Sequence, residues 1–202
     1  MAYAIVKHRL QRDGGPVAFV ETPNQGGVVK PLYLLMHYTA GTTASGAINH
    51  IKKASAKASA HLVIDRNGDI TQMVPFNRVA WHAGVSSWGE LQGMNQFSIG
   101  IELVNAGKLK RRADGKWVNW ADNVIPDSQV MELTHQNESQ PAGWHVFPEA
   151  QLEVAADVGI ALREEYGFVG VLGHDNVAPK RKVDPGPAFP MISFESKVMG
   201  RM

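Results

Sequence analysis

The sequence contains no cysteine. That excludes a disulfide framework, a thiolate zinc or iron–sulfur site, and a cysteine nucleophile. It contains no apolar run near the roughly 18–20 residues that a membrane helix needs, so no membrane span is expected. It also lacks a charge excess: 20 Lys+Arg against 19 Asp+Glu leave +1 at pH 7. A chain so balanced is not built to neutralise a run of phosphates, and nucleic acid is not an expected partner. What is there is 202 residues, 44% hydrophobic and 19% charged. That is enough apolar surface for a real core, and it excludes a disordered chain, a coiled coil and a collagen-like fibre. The length suits one domain over residues 1–202.

Residues 1–30 are expected to be an approach segment, because Asp13-Gly14-Gly15-Pro16 and Pro23-Asn24-Gln25-Gly26-Gly27 are turn chemistry. Pro31 to Thr39 is a short, nearly continuous apolar run and predicts a strand buried on both faces. Thr42-Thr43-Ala44-Ser45 can cap a helix to about Lys53, with Ala47, Ile48 and Ile51 as its apolar face. Ala60–Ile64 and Ile70–Val74 flank an Asn67-Gly68 step, a hairpin signal. Phe97–Val104 predicts another strand, Pro148–Tyr166 a helix closed by Gly167, and Phe168–Leu172 a last strand. Residues 173–191 predict a proline-rich loop and a short helix follows from Ser193. Residues 106–148 are polar, hold Trp117, Trp120 and Trp144 without a clear period, and are expected to be a long ordered excursion. The order strand, helix, hairpin, strand, helix, strand predicts an α/β (mixed α+β) fold, a central mixed sheet flanked by helices.

Three of the eight histidines, His37, His61 and His174, fall at predicted strand ends beside glycine-containing loops. Such positions are held rigidly yet can face a cleft. The densest chemistry lies in Gly173–Phe189, which places His174 and Asp184 ten positions apart with Lys182 just before the aspartate. Imidazole and carboxylate suit zinc, and a catalytic zinc site takes three protein ligands. His37 is the best candidate for the third. Alone, His37 reads more readily as a core histidine, and Asp184 before Pro185 as the start of a turn.

His174 through Phe189, Trp81-His82-Ala83-Gly84-Val85-Ser86, and Ser98-Ile99-Gly100-Ile101-Glu102-Leu103, in that family's order along the chain, resemble the AmpD-type zinc N-acetylmuramoyl-L-alanine amidases. These share a fold with the peptidoglycan recognition proteins and the phage lysozyme-type amidases. The resemblance runs from about His37 to Phe189. It implies one Zn2+ per chain held by His37, His174 and Asp184. It implies that Glu102 acts on water, that Lys182 faces the scissile carbonyl, and that His61 and His82 line the substrate cleft. Phage lysozyme-type members carry a tyrosine just before the His61 position, where this chain has Ala60. That departure leaves Glu102 to work alone and favours the AmpD-like branch.

The implied reaction is hydrolysis of the amide between N-acetylmuramic acid and L-alanine, with peptidoglycan fragments (muropeptides) as partners. The alternative is a muropeptide-binding module of the same fold that cleaves nothing. A complete ligand set together with Glu102 and Lys182 favours the enzyme. Of the tryptophans, Trp81 is expected in the core and Trp88 on the cleft rim, contacting substrate. In Met1–Arg9 charge arrives before any apolar run of signal-peptide length. The expected location is therefore the cytoplasm, with a phage endolysin released to the cell wall as the alternative.

Overall fold

The computed structural model describes residues 2–201. Its strands are β1 (Tyr3–Val6), β2 (Arg9–Arg12), β3 (Gly15–Pro16), β4 (Ala18–Phe19), β5 (Gln25–Val28) and β6 (Tyr33–Tyr38), then β7 (Leu62–Ile64), β8 (Ile70–Gln72) and β9 (Arg78–Ala80). They continue with β10 (Ser87–Trp88), β11 (Leu91–Gln92), β12 (Ser98–Leu103), β13 (Lys108–Arg111), β14 (Trp117–Val118), β15 (Val124–Ile125), β16 (Val130–Thr134), β17 (Pro141–His145) and β18 (Gly170–Gly173). The helices are α1 (Ala44–Ile51), α2 (Glu149–Tyr166), α3 (His174–Val177) and α4 (Met191–Met199).

Six strands form a mixed sheet in the order β18-β6-β12-β7-β8-β4. β6 runs parallel to β12 and β18, β12 parallel to β7, and β7 antiparallel to β8. Side chains alternate faces along a strand. On β6 and β12 that period sends Leu34, Met36, Ile99, Ile101 and Leu103 into the main core, against Val154, Ala155, Val158 and Leu162 of α2 and Phe194 and Val198 of α4. The opposite face receives Leu35, His37, Ser98, Gly100 and Glu102. The apolar runs therefore read as buried strands, and the polar residues inside them all face one way. α1 is capped by Thr43, whose hydroxyl accepts from the Gly46 N–H. It packs Ala47, Ile48 and Ile51 against Val63 and Val104. α2 ends as predicted, with Gly167 in the left-handed conformation at φ 69.

Two regions hold strands that the sequence left unassigned. Residues 1–30 are more than an approach. β1-β2-β3 form a small antiparallel sheet, and Leu10 joins the main core with Tyr3 and Ile5 packed against it. The buried amide of Gln72 pins this sheet, accepting from the Leu10 N–H (2.9 Å) and donating to the His8 carbonyl (3.1 Å). Residues 106–148 carry a five-stranded antiparallel sheet, β15-β14-β13-β17-β16, with a small core of Ala106, Leu109, Trp117 and Ile125. Among the described residues no helix is long and apolar enough to cross a membrane.

Candidate metal centre and its cleft

His37 lies near the end of β6 and Glu102 near the end of β12, and the two residues are register partners on adjacent parallel strands. Both point to the face away from α2. β18 lies on the other side of β6 and ends at Gly173, after which His174 opens α3. The proline-rich segment then folds back, so that the Asp175 N–H donates to the Asp184 carbonyl at 2.8 Å. Ten residues of separation in the chain thereby become direct proximity.

The result is a triangle of ligand atoms. His37 Nδ1, His174 Nδ1 and Asp184 Oδ2 each lie 3.0 Å from the other two. All three residues are buried. The outer ring nitrogens fix what the inner ones carry. His174 Nε2–H donates to the Ala83 carbonyl (3.0 Å), so its Nδ1 presents a lone pair. The Ser98 hydroxyl donates to the Met94 carbonyl (2.6 Å), so its oxygen is left to accept from His82 Nε2–H at 3.5 Å. His82 Nδ1 then accepts from His37 Nε2–H (3.0 Å), and His37 Nδ1 too is bare. Two imidazole lone pairs and a carboxylate oxygen facing one point repel one another unless a cation sits among them. That donor set fits a divalent metal, and zinc accepts this combination of nitrogen and oxygen ligands.

Ionisation agrees with the geometry. Burial pushes the His37 imidazolium pKa down to about 4, and His174 adds to the shift. Burial, with His37 next, holds His82 well below the usual histidine value. Both rings are therefore neutral at pH 7 and available as ligand or support. Glu102 goes the other way: burial, then the nearby Asp184 charge, raises its carboxyl well above the ordinary value, partly offset by Lys182. Glu102 Oε2 is buried without a hydrogen-bond partner among the described residues. A buried carboxyl left unpaired, with a raised pKa, beside a metal-type triad has the character of a proton acceptor.

These groups form the floor of a cleft of about 840 Å³. His37, His82, Glu102, His174, Lys182 and Asp184 all line it. The β6–α1 connection with Thr42 and Thr43 and, from the excursion, Asn119, Trp120 and Asn123 line it as well. Lys182 and Glu102 thus line the same cleft.

Of the three expected cleft residues, His82 is in the lining and His61 and Trp88 are not. His61 is fully buried and does not line the cleft. Its Nε2–H donates to the Arg78 carbonyl (2.9 Å) and its Nδ1 accepts the Gly100 N–H (3.0 Å), so it is a locked core histidine behind His82. His82 lines the cleft, but its role in the fold is to hold His37. Gly100 makes that seat possible, since a Cβ there would lie 2.5 Å from the His82 ring. Trp88 sits on the β10–β11 hairpin outside the cleft lining, while Trp81, expected in the core, is 37% exposed and lines it.

Sequence reasoning also missed residues that hold the site. Asn95 Oδ1 accepts from the backbone N–H groups of His82 (3.0 Å) and Ala83 (2.7 Å). Arg181 Nη2 donates to the carbonyls of Ala83 (2.7 Å) and Val85 (2.8 Å), tying the metal loop to the segment that also receives His174. His135, from the excursion, donates from Nε2 to Asp175 Oδ2 (2.9 Å), next to His174 in the chain. Its ring stacks on Trp144. The only signal for Arg181 is its place in Lys180-Arg181-Lys182; nothing local distinguishes Asn95 or His135.

A family model described as N-acetylmuramoyl-L-alanine amidase matches residues 28–187. The 1,6-anhydro-N-acetylmuramyl-L-alanine amidase AmpD of Citrobacter freundii is 34% identical over 147 residues, 72% of this chain and 59% of that protein. The chain therefore spans less than two thirds of the length of that curated relative. A crystal structure of an AmpD derivative superposes with a TM-score of 0.60 at 25% identity, covering 94% of this chain and 96% of that one. AmpDh3 of Pseudomonas aeruginosa, solved in complex with anhydromuramic pentapeptide, gives a TM-score of 0.59 at 25% identity over 83% of this chain and 59% of that one. With the matched model covering most of its length and the ligand triad inside the matched region, the chain belongs to the N-acetylmuramoyl-L-alanine amidase family.

Proposed function

We propose that this protein is a zinc-dependent hydrolase of the amide between the lactyl group of N-acetylmuramic acid and L-alanine, in peptidoglycan or its fragments. The observation that carries the reading is the mutual 3.0 Å convergence of His37 Nδ1, His174 Nδ1 and Asp184 Oδ2 on the floor of a cleft shared with Glu102 and Lys182. Two neutral imidazoles and one carboxylate offset only one of the two charges of Zn2+. When bound there, zinc supplies a Lewis acid that acidifies water and polarises an amide carbonyl.

The chain's own residues do the rest. Glu102, buried and unpaired on Oε2, takes the proton of the attacking water and delivers it to the leaving nitrogen. An amine leaves where an amide anion cannot. Lys182 donates to the carbonyl oxygen as it gains negative charge. His82 and the Ala83 carbonyl keep the two ligating rings in the required tautomer, so no reorganisation is needed when substrate arrives. A binding module would need neither Glu102 nor a complete ligand set. The anhydromuramic pentapeptide in the AmpDh3 structure supports a muropeptide as the substrate class.

The test is mass spectrometry of a digest of defined muropeptides, with and without a chelator. The expected result is release of free stem peptide that chelation abolishes and added zinc restores. Parallel digests of anhydro-muropeptides and intact sacculi assign the preferred form. Persistence of the amide in every substrate at full zinc loading contradicts the proposal.

A further inference from the structure

We propose that Trp120 and the turn that carries it form a sugar subsite, a stacking platform for the N-acetylated hexose of the substrate. This rests on the amidase reading above and adds which wall of the cleft takes the carbohydrate half.

Trp120 is 77% exposed, yet it is held in place. Its Nε1–H donates to the Ala40 carbonyl at 2.8 Å, and both residues line the cleft. That bond uses the only polar atom of the indole, so what remains for a ligand is the aromatic surface. The turn between β14 and β15 is rigid. Asn119 Oδ1 accepts from the backbone N–H groups of Ala121 (3.1 Å) and Asn123 (2.9 Å) and from Asn123 Nδ2 (3.2 Å). At its base Trp117 and Ile125 are buried in the small core of the excursion. An indole immobilised in water by its own hydrogen bond gains little for folding, but it is already ordered for a ligand, which lowers the entropy lost on binding.

The charges in the cleft are distributed unevenly. Glu102, Asp184, Lys182 and Arg181 come from β12 and the metal loop. The lining residues of its own turn, Asn119 and Asn123, and those just after Ala40, Thr42 and Thr43, are uncharged. Arg112, in the β13–β14 connection, is paired with Asp114 (2.7 Å) and Asp122 (2.9 Å). An aromatic face flanked by neutral hydroxyls and amides matches a hexose, whose C–H face stacks on indole while its hydroxyl and acetamido groups hydrogen-bond. A stem peptide bearing free carboxylates is recognised better by unpaired cations, and this wall offers none. The peptide half is thereby assigned to the part of the cleft that holds Lys182.

The experiment compares two substrates sharing the scissile amide: an N-acetylmuramyl-L-alanyl peptide and the same peptide carrying only the lactyl group. Trp120→Ala is expected to lower kcat/KM for the muramyl substrate about five- to tenfold through KM, with kcat held. It should leave the lactyl peptide unchanged, and Trp120→Phe should retain at least half of the wild-type value on the muramyl substrate. An equal fall on both substrates, or no fall on the muramyl one, overturns the proposal. Because Trp120 is exposed, its loss leaves the fold intact, which circular dichroism checks. If the wild-type protein cleaves neither substrate, the amidase reading fails separately, and calorimetric titration with N-acetylmuramic acid decides the subsite. Binding five- to tenfold weaker in Trp120→Ala supports it, and equal affinity overturns it.

Discussion

The face of β6 and β12 that carries His37 and Glu102 and the excursion at 106–148 contribute to one cleft by different physics. The first is a pair of central parallel strands, buried on both sides, whose side chains cannot move without repacking the core. The second is a sheet of short antiparallel strands with an exposed surface and a core of only a few residues. Chemistry is placed on the first, where position is held tightly. The second supplies Trp120 to the rim and His135 to the back of the metal loop. Rigid strands fix reacting groups, and an attached sheet can shape a cleft without disturbing them.

That contrast predicts a descending series of effects. Asp184→Ala removes the charged ligand and should reduce amide cleavage to background. Glu102→Gln should lower kcat by about 10²–10⁴ while leaving the metal in place, as steady-state kinetics paired with metal analysis will show. Lys182→Met should cost about 10²–10³ in kcat, the range for loss of an oxyanion donor. His82→Ala, which frees His37 to turn, should weaken zinc binding by about 10–100-fold in a competition titration. His135→Ala acts one step further out, through Asp175, and should weaken zinc by less than His82→Ala. A larger effect from His135 would break the division between the two regions.

Glu102 also gives a pH signature. In the folded, metal-free chain its carboxyl titrates well above its ordinary value because burial opposes the charge. The favourable contribution is present below the unfolded pKa, about 4.3, and is lost as pH rises through the folded one. Metal-free Glu102→Gln should therefore melt higher than metal-free wild type at pH 7, with the gain shrinking as pH falls towards 4. No difference at pH 7 would mean that Glu102 is not held in the desolvated state described.

Much of the sheet was legible in the sequence, for a physical reason. Strands such as Tyr33–Tyr38 and Ser98–Leu103 are buried on both faces and read as apolar runs, and their few polar residues stand out. The same contrast marked His37, and the motif around Glu102, as candidates. The excursion was illegible because its strands are only 2–5 residues long and largely exposed on one side, as in Val130–Thr134. No apolar period forms over so short a span. His61 misled for a related reason: a strand-end histidine beside glycine looks the same whether it faces a cleft or, as here, donates to the Arg78 carbonyl inside the core. Trp81 and Trp88 were exchanged because composition does not say on which side of a loop an indole lies. Arg181 and Asn95 act on backbone groups about 100 and 13 residues away, respectively, contacts that leave no local pattern.

The most direct test of the account is zinc per chain, measured by elemental analysis on the wild-type protein and on Asp184→Ala and Glu102→Gln. The account predicts about one zinc in the wild type and in Glu102→Gln, and close to none in Asp184→Ala. Full occupancy in Asp184→Ala, or none in the wild type after incubation with zinc, would contradict the assignment of His37, His174 and Asp184 as the metal site.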